Sequence, residues 1–184
     1  MTWPATTRYA LDPAPAGLAL AQDLLNTKGV GAQPDLLADP VMAADWLNQV
    51  IPGETGLSPT DLDQLRAFRA DLQRLVARDD EAASASFAVA RSAAAELVLG
   101  VDGVVELRGG GSGAEYVVSR VLAEVLGAQQ VDAWRRLKSC RNERCRVAFY
   151  DRSRNNSGVW HSLKTCGNPA NLRAHRARNK ELNG

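Results

Sequence analysis

With 184 residues the chain has room for one ordinary domain plus a small module. Its 45% hydrophobic and 23% charged residues exclude a disordered chain, and no run is apolar for long enough to cross a membrane. The start, Met1-Thr2-Trp3-Pro4, lacks the basic opening and apolar core of a secretory signal, so the expected location is cytoplasmic. The net charge of +1 conceals an asymmetry. Residues 1–133 hold 9 Lys+Arg against 18 Asp+Glu, net −9, and residues 134–184 hold 13 against 3, net +10. A basic tail on an acidic body implies either an anionic partner for the tail, nucleic acid first, or neutralisation of one half by the other.

Along the chain, Leu18, Leu20, Leu24 and Leu25 can line one face of a helix over Gly17–Thr27. Asp39-Pro40 supplies an N-cap and a pre-organised first residue for a second helix, with Val41, Met42, Trp46, Leu47 and Val50 as its apolar members and Pro52-Gly53 as its end. Ser58-Pro59-Thr60-Asp61 starts a third, whose Leu62, Leu65, Phe68, Leu72, Leu75 and Val76 recur every three or four residues. Arg66, Arg69 and Arg74 fall mostly off that stripe. An Ala-rich helix is expected from about Glu81 to Ala95.

The period then changes. Two β-branched runs, 97–101 and 104–107, flank Asp102-Gly103, a hairpin signal. Gly109 to Gly113 reads as a flexible loop; it lacks the Lys-Ser/Thr of a phosphate loop. A helix from Ala114 to Leu126 and a short one around Ala133-Trp134-Leu137 follow. The expected fold class is mainly α with a small β-hairpin (α+β), divided into a helical domain over 1–133 and a small treble-like zinc-binding module over 134–184.

All three cysteines fall between positions 140 and 166, an odd number that fits metal ligation better than a disulfide framework. Cys140-x4-Cys145, fifteen residues, then His161-x4-Cys166 forms two close pairs joined by a loop, the plan of a structural zinc site. Thiolate and imidazole are the donors zinc accepts, and four protein ligands leave no open position for water, so zinc here is structural rather than catalytic. Val147, Phe149, Tyr150 and Trp160 are candidates for a mini-core beside the ion. Asp151 is either an outer partner of His161 or the anchor of a cap or salt bridge. No Ser/His/Asp set or paired carboxylate motif suggests an enzyme.

These residues resemble a known family. Cys140-x4-Cys145, Phe149-Tyr150-Asp151-Arg152-Ser153-Arg154-Asn155, Trp160 followed by a ligand, Cys166-Gly167-Asn168 and Ala174-His175-Arg176-Ala177-Arg178 are similar to the bacterial CGNR zinc finger. The opening Leu20-Ala21-Gln22-Asp23-Leu24-Leu25-Asn26-Thr27, with Asp45-Trp46-Leu47 and Leu65-Arg66-Ala67-Phe68-Arg69, is similar to the ABATE domain that precedes that finger. The resemblance implies a stress-induced transcription regulator whose finger binds DNA. This sequence departs from the pattern: His161 replaces a Cys, Pro169 and Asn171 replace basic residues, and Gly158 and Val159 stand where basic residues usually precede the Trp.

Arg152, Arg154, Lys164, Arg173, His175, Arg176, Arg178 and Lys180 are the candidate phosphate contacts. Arg173, Arg176 and Lys180 would share one helix face. A solvated basic helix is the alternative, and a zinc-stabilised protein-interaction module, with or without homodimerisation, is the competing function. Asp23, Asn26 and Thr27 either line a pocket for a small-molecule effector in a sensor domain or simply end a helix before Gly29.

Overall fold

A computed structural model describes residues 1–54, 56–77 and 92–182. The elements in chain order are α1 (Pro4–Thr7), α2 (Ala19–Asn26), α3 (Pro40–Val50), α4 (Pro59–Ala77), β1 (Ala95–Leu99), β2 (Val105–Gly109) and α5 (Gly113–Gln130). A 3-10 turn at Trp134–Arg136, β3 (Leu137–Ser139), β4 (Ala148–Tyr150), a wide helical turn at Leu163–Gly167 and α6 (Asn168–Leu182) complete the chain.

The start signals act as their chemistry dictates. The Asp39 carboxylate accepts from the amides of Val41 and Met42 at 2.8 and 3.2 Å, capping α3. At α4, Ser58 and Asp61 cap each other: Asp61 accepts from the Ser58 amide and hydroxyl, and the Asp61 amide donates back to Ser58 Oγ. Asp61 also accepts from the Ala114 amide at 2.9 Å, so one carboxylate secures the start of α4 and the first turn of α5.

Helices α2, α4 and α5 pack on one another, with α1 and α3 closing the side. Their shared core holds Leu20, Leu24, Trp46, Leu65, Val117 and Val121. On α4 the expected stripe is buried except Leu75, which is 45% exposed. Its place inside is taken by an arginine: Arg69, expected off the stripe, is only 6% exposed. Its guanidinium forms a fork with the Asp35 carboxylate, both contacts 2.7 Å, and donates to Thr27 Oγ1 at 2.8 Å. A buried arginine is tolerated because its donors are met.

β1 and β2 form the expected antiparallel hairpin, pairing Leu97 with Leu107 and Leu99 with Val105. Its turn centres on Val101 and Asp102, with Gly103 at φ +79°, where a side chain would be strained. The Ala-rich helix from about Glu81 to Ala95 falls largely outside the described residues. Its expected end is corrected, because Ala95 already opens β1.

Two further expectations change near the C-terminal third. Leu137 belongs to a strand rather than a short helix, and a second antiparallel pair, β3 with β4, exists where only one hairpin was expected. Each strand has three residues, too few for alternation to be visible. This small sheet is built onto the helical body. β3 lies on α4 and β4 on α2, and Leu137 and Ala148 are wholly buried within the body's core.

Candidate metal centre

β3 ends at Ser139 and β4 begins at Ala148, so the loop between them carries Cys140 and Cys145. The loop is wound by its own backbone. Asn142 O accepts from the amides of Cys145 and Arg146 at 2.8 and 3.0 Å, and the Cys140 amide donates to Val147 O at 2.9 Å. Arg146 takes a left-handed φ of 54° to return the chain to β4. The second ligand pair comes from the following loop and the wide helical turn. Ser162 Oγ caps that turn through the Thr165 amide, and Ser162 O accepts from the amides of Cys166 and Gly167 at 3.0 and 3.1 Å. The Arg141 amide bonds Val159 O, tying one loop to the other.

The four side chains converge. The donor atoms of Cys140, Cys145, His161 and Cys166 all lie within 4.8 Å of one another. His161 presents Nδ1 at 3.3 Å from Cys145 Sγ and 3.7 Å from Cys166 Sγ. A tetrahedral zinc ion about 2.3 Å from sulfur and ~2.0 Å from nitrogen sets neighbouring donors ~3.5–3.8 Å apart, so the cluster is already close to that size. A hydrogen bond from Cys145 holds Cys140 well below the ordinary thiol range, and the same contact pushes Cys145 well above it. A metal cation binds cysteine as thiolate and so displaces the proton the two sulfurs share.

The surroundings hold these donors in place. Asn142 Nδ2 donates to Cys166 Sγ at 3.4 Å. Val147 and Trp160 pack on the cysteines as expected, but Tyr150 packs on the body's core instead. Tyr9, Leu11 and Val30, from the N-terminal part of the chain, complete the apolar shell. Gly167 permits the close approach of Trp160, since a Cβ there would stand 3.0 Å from Trp160 Cδ1. Asp151 has no described bond to His161. Its carboxylate accepts from Lys138 Nζ at 2.7 Å, the Ser153 amide at 2.9 Å and the Gly158 amide at 2.7 Å. Burial would raise its pKa, but these donors prevail and hold it well below the usual carboxylate range. Gly158 lies so near that a Cβ would meet the Asp151 carboxylate at 2.9 Å. A side chain at 158 would require the Asp151 carboxylate to shift.

Arg154, Lys164, Arg176 and Arg178 are exposed. Arg152 is exposed too, yet it donates to Pro13 O at 2.9 Å and lies over the Tyr150 ring. Arg173, His175 and Lys180 lie on α6 by their backbone, and the register of that helix sets Arg173, Arg176 and Lys180 along one side. Asp23, Asn26 and Thr27 are buried and engaged within the protein. Asp23 accepts from the Thr6 amide at 2.7 Å and from Trp46 Nε1 at 2.8 Å, and Thr27 receives Arg69. Asn26 brackets Ala148, accepting from its amide at 2.8 Å and donating to its carbonyl at 3.0 Å. That bracket joins α2 to β4 across the junction of body and finger. Two residues 122 apart carry no local signal of such a pairing.

A helical body whose core runs into a Cys3His knuckle defines a zinc-finger protein with an α-helical N-terminal region. Residues 136–179 match the CGNR zinc finger, and residues 18–135 match ABATE, described as "Putative stress-induced transcription regulator". The chain belongs to the ABATE family and ends in a CGNR finger. No curated protein matches it. Finger and donor set together fit one structural zinc ion, held by Cys140, Cys145, His161 and Cys166. No described helix is long and apolar enough to cross a membrane.

Proposed function

We propose that this protein is a cytoplasmic regulator of transcription that binds DNA through its zinc finger. Zinc holds the knuckle and the wide turn together, and the flanking cations meet phosphates. The observation that carries this reading is the net +10 of residues 134–184, together with the exposure of Arg154, Lys164, Arg176 and Arg178 in that segment. Phosphate contacts of this kind give affinity and salt dependence, and sequence choice has to come from base edges. Four protein donors fill a tetrahedral shell and leave no place for a reactive water, which favours a non-enzymatic role. The test is binding of the zinc-loaded protein to duplex DNA across a salt series. Log affinity should fall linearly with log salt, and absence of binding at low salt would overturn the reading.

The body is the natural place for a sensor of stress. The internal hydrogen bonds of Asp23, Asn26 and Thr27 favour a role for these three in joining elements rather than in holding an effector. A second reading, a zinc-stabilised protein-interaction module, draws support from the β1–β2 hairpin. Leu97, Leu99, Val105 and Leu107 share one exposed face of it. Recovery of a protein partner, or of a homodimer, after nuclease treatment would favour this reading over the first.

A further inference from the structure

Two depressions lie where α4 meets the finger, and a third lies within the finger, each sharing a lining residue with the next. The first is lined by Lys28, Arg66, Arg69, Arg74 and Arg146. The second shares Ala77 and Arg146 with it and adds Lys138 and Arg141. The third shares Arg141 and adds Arg144, with Glu143 the sole carboxylate among the described lining residues of all three. Residues 1–133 carry net charge −9 and hold 9 basic residues, of which four line the first depression.

These cations differ in availability. Arg69 is buried and committed to Asp35, and Lys138 spends its ammonium on Asp151 and the carbonyls of Asn156 and Gly158. Lys28, Arg141 and Arg144 are exposed. Arg66 donates to Leu37 O and pairs with Asp63, and Arg74 pairs with Asp71; both pairs are local i,i+3 contacts at the surface. Such pairs are weak at a surface and are screened by salt, so a phosphate can displace them at little cost. Trp160 is the one aromatic described along the track. A lining of cations with so little aromatic surface suits a phosphate backbone rather than unstacked bases.

We infer that the helical body, through Lys28, Arg66 and Arg74, extends the finger's nucleic-acid surface, so that duplex DNA lies along the groove between α4 and the zinc knuckle. This rests on the DNA-binding reading above and adds to it a contact surface in the ABATE region. It also gives the body a direct hold on DNA affinity, because Gln73 on α4 ties the groove to the knuckle. Its Nε2 donates to Ser139 Oγ at 2.8 Å and to Arg146 O at 2.9 Å.

The experiment compares the zinc-loaded full chain with the triple variant Lys28→Gln/Arg66→Gln/Arg74→Gln. Both are titrated against a random-sequence DNA duplex between about 50 and 200 mM salt. The variant should keep its zinc and a single cooperative melting transition. Its slope of log affinity against log salt should become shallower by about one for each phosphate no longer neutralised, ~2–3 in total. The double variant Lys28→Gln/Arg74→Gln leaves the Arg66 bond to Leu37 intact and should flatten the slope by about two. An unchanged slope alongside wild-type binding would overturn the groove while leaving DNA binding by the finger standing. No wild-type binding at low salt would overturn both. Tighter wild-type binding to single-stranded RNA than to the duplex would also overturn the duplex assignment.

Discussion

At the scale of single residues, polar side chains in the interior do the joining. Asn26 meets both backbone groups of Ala148 across the body–finger junction. Replacing it with Ala strands the buried Ala148 amide, at about 1–3 kcal/mol, and leaves the Ala148 carbonyl with the longer bond from Gln22 Nε2 at 3.4 Å. Asn26→Ala should therefore lower unfolding stability in urea by about 2 kcal/mol or more, and weaken zinc retention at the same time. Glu124 ties stability to pH. It sits at the start of α2, accepting from the Leu20 and Ala21 amides at 3.2 and 3.4 Å. Burial raises its pKa from 4.5 to about 7, against the lowering effect of those amides and of Arg120. A carboxyl raised on folding adds stability below about pH 4.5, and that stability is lost as pH rises through about 7. Asp35, Asp61 and Asp151 act in the opposite sense. Their folded pKa values are depressed, so their contribution is present above the ordinary carboxylate range and lost in acid. Glu124→Gln keeps an acceptor for the two amides. Melting temperatures measured at about pH 5 and about pH 8 should show it more stable than the parent at the higher value only.

At the scale of elements, the knuckle and the wide turn form the zinc site as a unit. Each supplies ligands, and Asn142 reaches from one to the other. Asn142→Ala should reduce zinc affinity about tenfold or more, the range seen when the hydrogen-bond partner of a ligand is removed. Competition with a chelator would measure it, and affinity equal to the parent's would show that Asn142 does not support the ligand. Elements with strong end signals are legible in the sequence. Asp39-Pro40 and Ser58-Pro59-Thr60-Asp61 mark α3 and α4 because their caps act within one turn. Elements defined by distant partners are not. β3 and β4 are three residues each and exist because α2 and α4 cover them. Arg69 lies inside because Asp35, 34 residues away, is there to receive it.

At the scale of the whole molecule, body and finger are joined by core packing as well as by hydrogen bonds. Leu137 and Ala148 lie in the body's core, and Tyr9, Leu11 and Val30 cover the cysteines. Metal analysis of the purified chain should give about one zinc per molecule. Cys166→Ser should reduce that to near zero. If finger and body were energetically separate, the body would keep its own melting transition. The shared packing leads instead to a lowered transition for the body as well, readable from the fluorescence of Trp46, which is 1% exposed in the core. What the sequence by itself determined is the chemistry that depends on residue type and short spacing: the four donors, the helix starts, the β1–β2 hairpin and the segregation of charge. Ligand pairs with four residues between them and caps within one turn are local, so their physics is legible without a fold. Only the tertiary structure decided which polar groups became internal ties, how closely Gly158 approaches the Asp151 carboxylate, and that cations of the acidic body line a groove beside the finger. Each of these depends on residues far apart in the chain being brought together by burial of the same core.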